Sequence, residues 1–299
     1  MKERRRHATS KNGKQKVQAI GPVQNLEDYL QPDWWRRIFN SMYLKTDADV
    51  VEDSKITAYE LDLFTQILNL PNESVILDLA CGQGRHTLEL ARRGFKNVFG
   101  LDRSHYLINK ARQINQNENL TASFKEGDAR KLPYQTDTFD AVMILGNSFG
   151  YFESINDDIK ILKEVFRVLK PGGKFLIDVA DGSYLKEKYN PHSWEWIDKN
   201  HFVCRERSLA KDNQRLISRE LISDINKGVI VDQFYAERLY TRENLSETLT
   251  KSGYKKISFH DEYVTNSERN QDLGMMERRI ILSSEVIKEW SPVKNKSIS

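Results

Sequence analysis

The chain has 299 residues, of which 39% are hydrophobic and 30% are charged, with a formal net charge of +3. This composition excludes a fibrous or wholly disordered chain and allows one large domain or two small ones. No apolar run approaches the roughly 20 residues of a membrane-spanning helix, and the two cysteines are too few for a disulfide framework, so we expect a cytoplasmic protein without a membrane segment.

The positive charge is concentrated at the start of the chain. Residues 1–16 contain seven lysines or arginines and a single acid, Glu3. The rest of the chain keeps 39 of the 46 basic residues and 42 of the 43 acidic residues, so its formal charge is −3. We interpret residues 1–25 as a disordered basic arm, and any affinity for nucleic acid would lie there or in a local patch.

A helical extension is expected over residues 26–70. Apolar residues at helical spacing predict a first helix over 33–44, and an acidic stretch over 46–53 separates it from a second helix over 58–68 that Thr57 would cap. The aromatic side chains of the first helix would pack against the body of the protein. Alternatively, this segment would form a movable flap over a binding site.

A strand, a glycine turn and a helix follow. Residues 75–79 form a mostly apolar run, Gly82 and Gly84 lie in the turn, and residues 86–93 are amphipathic. Glycine allows a sharp turn and a close approach to a ligand, and the first turn of the helix offers unpaired N–H groups. The segment therefore predicts the start of a βαβ unit with a ligand cradle.

The same alternation continues to residue 180 and then stops. Strands that alternate with helices predict a mostly parallel sheet covered on both faces. The predicted strands cover residues 98–102, 121–124, 139–145 and 175–179, and the predicted helices follow Ser104 and cover residues 155–169.

An antiparallel block is predicted over about residues 190–240, because the apolar period there falls to two. Arginines alternate with acids along it, which is typical of a solvated sheet face. Its aromatic residues would line a pocket, form the block's own core or form a dimer face. The three strands predicted in the block cover 202–207, 215–222 and 229–235; a helix from Thr241 to Ser252, strands at 256–259 and 279–282, and a tail over 286–299 follow.

Two kinds of cofactor fit the cradle. A dinucleotide site has a third glycine after the turn, and residues 85–87 contain none. Asp78, just before the turn, would repel a pyrophosphate but would accept hydrogen bonds from a cationic ligand. A phosphate-free adenosine compound with positive charge, such as S-adenosylmethionine, is therefore favoured over NAD.

The order of five motifs resembles that of the class I S-adenosylmethionine-dependent methyltransferases. The resemblance implies a Rossmann-like sheet over residues 71–285 with seven mostly parallel strands, the last antiparallel, into which the block is inserted. It implies S-adenosylmethionine as cofactor and no metal. The motifs are 78–85 (DLACGQGR), Asp102, 127–129 (GDA), 139–142 (FDAV) and 169–173 (LKPGG).

The resemblance also implies roles for single residues. Asp102 would accept both ribose hydroxyls, and Asp128 would accept the adenine amino group. Taken singly, either aspartate would be interpreted as a helix cap or a turn residue. The other cofactor-binding positions are Asp78, Ala80, Gly82, Gly84, Arg103, Ala129, Leu145 and Gly146.

Methyl transfer itself requires mainly alignment, because a sulfonium methyl is already activated. A base matters only when the acceptor arrives protonated, and the catalytic candidates from the sequence are Tyr151 and Asp178. His86, His192, His201 and Asp181 are further candidates, although a lone histidine is more often a packing residue. We expect residues 147–151, which follow the fourth strand, to contact the acceptor.

The favoured function is methylation of a small-molecule acceptor, since the body is slightly acidic and has no recognisable RNA-binding module. The alternatives are an RNA methyltransferase that uses the basic arm and a non-catalytic cofactor-binding subunit. An NAD-dependent dehydrogenase is the weakest alternative. The sequence leaves homodimer formation open.

Overall fold

A computed structural model describes residues 19–260, 263–264 and 273–288. The predicted arm up to residue 18 and the tail beyond residue 288 lie outside the described residues. The strands are β1 (Val75–Leu79), β2 (Asn97–Asp102), β3 (Ser123–Glu126), β4 (Phe139–Ile144), β5 (Leu169–Ala180), β6 (His192–Trp196), β7 (His201–Leu209), β8 (Arg215–Asp224), β9 (Gly228–Arg238), β10 (Lys256–Phe259), β11 (Tyr263–Val264) and β12 (Arg278–Glu285).

Eight α-helices lie within the described residues. They are α1 (Tyr43–Thr46), α2 (Ala48–Val51), α3 (Ser54–Leu68), α4 (Arg85–Arg92), α5 (His105–Asn117), α6 (Ile155–Val168), α7 (Gly182–Lys188) and α8 (Arg242–Lys251), with 3-10 turns at Leu26–Tyr29, Trp34–Arg36 and Gly274–Met276. None of the described helices is long and apolar enough to cross a bilayer.

The main sheet has the strand order β10-β12-β5-β4-β1-β2-β3, and the short β11 also pairs with β12. Strands β1 to β5 pair with one another in parallel, whereas β12 runs antiparallel to both β5 and β10. This confirms the predicted fold, a mostly parallel sheet whose last strand is antiparallel, with a separate antiparallel sheet after the fifth strand.

Hydrophobic residues of the main sheet are buried on both faces. Leu77, Val142 and Phe175 belong to one buried cluster, together with apolar residues of α6 and α8. Ile76 and Leu176 belong to a second cluster, together with residues of α3 and α4. The carboxyl ends of the parallel strands are thereby held in place, and the loops that follow them form the candidate site.

The helix predicted over 33–44 is wrong, because residues 34–36 form a 3-10 turn and α1 begins only at Tyr43. The side chain of Asn40 accepts a hydrogen bond from the Met42 N–H at 2.8 Å and donates one to the Arg37 carbonyl at 2.8 Å. An asparagine that bonds locally to the backbone competes with the helical pattern, which explains the break.

Helix α3 begins four residues earlier than predicted, and its cap differs. Asp53 is the N-cap, since its side chain accepts the N–H groups of Lys55 and Ile56 at 2.7 and 3.3 Å. Thr57 lies inside the helix and donates its hydroxyl to the Asp53 carbonyl at 3.0 Å. An aspartate at this position also complements the helix dipole.

The antiparallel block contains four strands in the order β6-β7-β8-β9, one more than predicted. Its arginine-rich face is not solvated, which corrects the interpretation of the alternating charges. The N-terminal segment covers this face: the Arg219 Nη1 donates to the Gly21 carbonyl at 2.9 Å, and Arg215 pairs with Glu27 at 3.1 Å. The buried arginines of the block, each at most 8% exposed, are Arg205, Arg207, Arg215, Arg219 and Arg238.

Candidate active site

In the turn after β1, backbone atoms with little or no side chain over them lie beside a cavity. Ala80, Gly82 and Gly84 all have positive φ, at 60°, 56° and 78°. A Cβ on Gly82 would meet only Leu107 at 3.8 Å, so this residue leaves the backbone open to a ligand. A Cβ on Gly84 would instead lie 2.6 Å from the Phe124 ring, so this glycine is needed for packing rather than for ligand access.

Asp102, at the end of β2, faces the same turn. Its Oδ2 accepts the Gly82 N–H at 2.9 Å and its Oδ1 accepts the Ser104 N–H at 2.7 Å. Burial raises its pKa above the ordinary value. Each carboxylate oxygen has two lone pairs, so both oxygens keep a position for a ligand hydroxyl.

Asp78, at 1% exposure, is the most buried carboxylate of the cradle. Its Oδ2 accepts the Thr87 hydroxyl at 2.7 Å, and burial raises its pKa to about 6. A cationic group bound beside it would favour the ionised form, because an opposite charge offsets the desolvation of the carboxylate.

Two adjoining cavities lie at this edge of the sheet. The first, which we call the cradle cavity, is lined by predicted residues Ala80, Gly82, Asp102, Arg103, Asp128, Ala129 and Tyr151. The second, which we call the block chamber, is lined by predicted residues Asp78, Ala80, Gly82, Leu145, Gly146 and Tyr151 and by side chains of the antiparallel block. Among the predicted site residues, Gly84 and Asp178 line neither of these two cavities.

Asp128 is already paired in this structure. Its Oδ1 accepts the Arg130 Nε at 3.0 Å and its Oδ2 accepts the Arg130 Nη2 at 2.7 Å, while Arg103 lies 3.7 Å away. The hydrogen bonds from Arg130 hold the pKa of Asp128 below its usual range. An adenine amino group would therefore have to share these oxygens with Arg130.

Asp178 belongs to a buried ion network behind the site. Its Oδ1 accepts the Gly146 N–H at 2.6 Å and its Oδ2 pairs with Arg279. Arg279 also pairs with Glu60, which accepts from Arg85 as well. These contacts fix the end of β4, so they are the contacts of a positioning residue, and the catalytic role of Asp178 stays an untested prediction.

His86 also belongs to this network rather than to a catalytic pair. Its Nε2 lies 2.7 Å from the Glu60 carboxylate, and burial lowers its pKa to about 4. The ring is therefore neutral near pH 7, and the arginines rather than His86 offset the negative charge of Glu60.

Tyr151 lies where the two cavities meet. Its ring centroid is 5.4 Å from Trp34 and 5.6 Å from Phe39, and burial raises the pKa of its hydroxyl well above the ordinary value. Residue 151 therefore occupies the boundary at which a donor and an acceptor would meet. Its catalytic role, like the acceptor contact of residues 147–151, stays a prediction.

Sequence analysis missed a group of carboxylates that the block and the N-terminal segment bring into the chamber. Asn147 connects them to the main sheet: it accepts the Ala180 N–H at 2.9 Å and donates to Glu237 at 3.2 Å. The alternating charges were the available signal, but alternation alone does not tell a covered face from a solvated one. The carboxylates are Asp47, Glu195, Glu220 and Glu237, and the chamber also contains Arg205 and Arg207.

Comparison with known proteins places this geometry among methyltransferases. A family model described as a methyltransferase domain matches residues 76–173. YqeM of Bacillus subtilis, a protein named as a methyltransferase, is 30% identical over 191 residues, which are 62% of this chain and 76% of that protein. The demethylmenaquinone methyltransferase of Lactobacillus johnsonii is 40% identical over 102 residues, but these are only 33% of this chain and 40% of that enzyme.

Solved structures show the same fold. A methyltransferase from Clostridium acetobutylicum superposes with a TM-score of 0.65 at 22% identity, over 83% of this chain and 97% of that one. The amino pentose methyltransferase CalS10 of Micromonospora echinaspora, solved with S-adenosylmethionine bound, superposes with a TM-score of 0.56 at 18% identity, over 81% of this chain and 96% of that one.

Proposed function

Because the chain belongs to the class I S-adenosylmethionine-dependent methyltransferases, we propose that it methylates a small molecule held in the block chamber. One observation carries this proposal: the chamber and the cradle cavity share Ala80, Gly82 and Tyr151 as walls. An acceptor in the chamber would thus lie directly beside the donor in the cradle, which is the arrangement that in-line transfer needs.

The residues of the cradle fit the donor. The nearby cations are paired, Arg85 with Glu60 and both Arg103 and Arg130 with Asp128, so the walls are poorly suited to phosphate. The bound donor supplies an electrophilic methyl on its sulfonium sulfur. In our proposal Asp102 holds the ribose hydroxyls, and Asp78 attracts the amino group of the methionine portion.

The remaining predicted residues orient the donor. Gly82 and Gly146 present backbone without a side chain, and Tyr151 offers an aromatic face that attracts a sulfonium. Residues 71–285 would form the methyltransferase domain, and residues 26–70 would be an extension that closes the chamber. The other cofactor contacts that we propose are Ala80, Arg103, Asp128, Ala129 and Leu145, whereas Gly84 would support the turn by packing against Phe124.

The chamber favours a small acceptor over RNA. Four carboxylates and two arginines from the N-terminal segment and the block line it, which opposes entry of a phosphate backbone. The basic residues that support the RNA alternative lie in 1–16, outside the described residues.

Titration calorimetry with S-adenosylhomocysteine, the product of the donor, tests the cradle. We expect saturable binding with one molecule per chain and no binding of NAD. Transfer of an isotopically labelled methyl group into a small-molecule cell extract then tests catalysis. Binding of NAD in place of S-adenosylhomocysteine, or labelling of RNA but of no small molecule, would contradict the proposal.

A further inference from the structure

The block chamber has more carboxylates than its cations neutralise. Arg205 pairs with both Glu195 and Glu220. Among the described residues, Asp47 accepts a side-chain hydrogen bond from the Thr46 hydroxyl at 2.7 Å, and Glu237 accepts one from the Asn147 amide at 3.2 Å. The hydrogen bonds to Asp47 and Glu237 within the described part of the chain thus come from uncharged groups, while Arg205 acts on Asp47 and Arg207 on Glu237 electrostatically.

Two carboxylate oxygens in this chamber are buried without a hydrogen-bond partner among the described residues. They are Glu195 Oε2 and Glu237 Oε2. A buried polar atom without a partner costs about 1–3 kcal/mol, so such atoms are rare and require an explanation. A ligand that donates hydrogen bonds into the chamber would provide the partners that both oxygens lack.

The environment of Glu237 lets it exchange a proton near neutral pH, and its ionised form is the proton acceptor. Burial raises the pKa of Glu237 most, the negative charge of the neighbouring Asp47 raises it further, and the resulting pKa is about 8. The charged and titratable groups that face this carboxylate are Asp47, Glu220, Arg207, Tyr43, Tyr151 and Tyr235.

The cation that fits these oxygens is organic. Within the described part of the chain, no set of three His, Cys, Asp or Glu residues is arranged to hold a metal ion. An alkylammonium has three N–H donors and a positive charge, which match several carboxylate oxygens in a partly desolvated site.

We propose that the block chamber takes a primary or secondary amine as the methyl acceptor and that Glu237 removes the proton from its ammonium form. This inference rests on the proposed function and names the substrate class of the same site. Glu237 would be a catalytic residue, whereas Asp47 and Glu195 would bind the amine and orient it.

The proposed step balances. The Glu237 carboxylate accepts one proton from the bound ammonium, which leaves a neutral amine with a free lone pair. The nitrogen then attacks the methyl carbon in line with the carbon–sulfur bond, and the electrons of that bond remain on sulfur as a thioether. The product is a methylated ammonium, which would carry the positive charge formerly on the sulfonium.

A chemical block of amines tests the acceptor class directly. One portion of a small-molecule extract is treated with N-succinimidyl acetate in water, which acetylates amines, and a second portion receives quenched reagent. Full-length enzyme and labelled methyl donor are added to both. We expect label to enter a cation-exchange-retained product in the control portion and to fall at least tenfold in the acetylated portion.

The variant Glu237→Gln tests the residue. A general base contributes roughly 10²–10⁴-fold to a rate, so we expect transfer to fall about 100-fold or more while the affinity for S-adenosylhomocysteine changes less than twofold. Glu206→Gln is the matched control, because Glu206 lies on β7, pairs with Arg219 at 3.2 Å and is not among the residues that line the chamber. We expect the control to keep wild-type activity.

Each outcome separates the two proposals. Equal transfer into the acetylated extract would overturn the amine acceptor and leave the methyltransferase proposal standing. Full activity of Glu237→Gln would overturn the assignment of Glu237 as the base. Donor-product binding without transfer into either portion would overturn both the amine acceptor and the small-molecule acceptor. Failure to bind S-adenosylhomocysteine would overturn the proposed function at the cradle itself.

Discussion

Three aspartates near the carboxyl edge of the sheet have different electrostatic environments. Asp78 is buried beside a threonine, Asp102 accepts two backbone N–H groups, and Asp128 is paired with Arg130. Their positions follow from the sequence, because each comes at or just after a predicted strand. Their partners do not, because Arg130 was not expected to occupy the carboxylate of Asp128.

Asp102→Asn should weaken the binding of S-adenosylhomocysteine. The charged acceptor becomes a neutral amide, and loss of a charged hydrogen bond costs about 1.5–3 kcal/mol, which is roughly 10- to 150-fold in affinity. Titration calorimetry measures the change. Glu126→Gln is the control, because Glu126 is adjacent to Asp102 across β2 and β3 but pairs with the exposed His105; unchanged binding by Asp102→Asn would contradict the assigned role.

The effect of Glu237→Gln on stability should depend on pH. Folding raises the pKa of Glu237 from 4.5 to about 8, so between these values the folded state binds a proton more tightly than the unfolded chain. The contribution of this group to stability therefore falls as the pH rises through that window. Because glutamine cannot ionise, the variant does not lose stability in this way. Its melting temperature relative to wild type should therefore be higher at pH 8 than at pH 5. Equal differences at both pH values would contradict the buried environment.

Gly84→Ala should destabilise the fold more than Gly172→Ala. Both glycines have positive φ, at 78° and 76°, so each alanine has a backbone cost of about 1–2 kcal/mol. Only at Gly84 would the added Cβ also lie 2.6 Å from the Phe124 ring, and such overpacking adds about 1–3 kcal/mol. Urea denaturation measures both variants, and equal losses would show that the close approach at Gly84 is relieved by movement.

Among the elements, those with a strong apolar period were predicted well. Strands β1 and β4 and helices α4 and α6 lie close to where the sequence placed them, because burial on a sheet or a helix face dictates that period. Strand β5 contains the predicted residues 175–179 but begins six residues earlier, at Leu169. The prediction of a helix over 33–44 is wrong because the same apolar spacing lets an irregular segment pack on the block. Strand β6 was missed although Trp194 and Trp196 have the period of two; the strand has only five residues, and both tryptophans are exposed in the structure.

Arg279 connects three elements that are distant in sequence. It lies on β12 and pairs with Glu60 on α3 and Asp178 on β5, and all three side chains have no solvent exposure. Removal of one member of such a network leaves buried charge without a partner.

Arg279→Met should therefore reduce the free energy of unfolding by about 3–5 kcal/mol. Urea denaturation followed by circular dichroism measures this loss. Arg37→Met is the control, because its pair with Asp33 is exposed and such pairs contribute at most about 1 kcal/mol. A loss below that of the control would show that the buried network does not hold the sheet edge in place.

For the whole molecule, the charge distribution separates the arm from the rest. The 283 residues after residue 16 carry the formal charge of −3, and more carboxylates than arginines line their chamber. A protein of this kind has little net attraction for a polyanion. The sequence could indicate this balance, whereas only the structure shows that carboxylates from β6, β8 and β9 converge with Asp47 from the N-terminal segment.

Deletion of residues 1–16 should leave methyl transfer to the small-molecule extract within about twofold of the full-length rate, because the described residues that line the chamber come from Trp34 onward. Steady-state rates with labelled donor measure this, and fluorescence anisotropy with a labelled RNA serves as a parallel assay. Loss of turnover with intact donor binding would favour the RNA alternative instead.

The buried triad of Glu60, Arg279 and Asp178 also limits how this scaffold can be re-engineered. A designer who exchanges the first seventy residues to alter substrate preference would also replace Glu60, and the buried Arg279 would then keep Asp178 but lose its second carboxylate partner. Any chimera must therefore retain a glutamate at that helical position or replace all three side chains with matched apolar ones. Segments that are far apart in sequence are thus coupled by buried ion pairs.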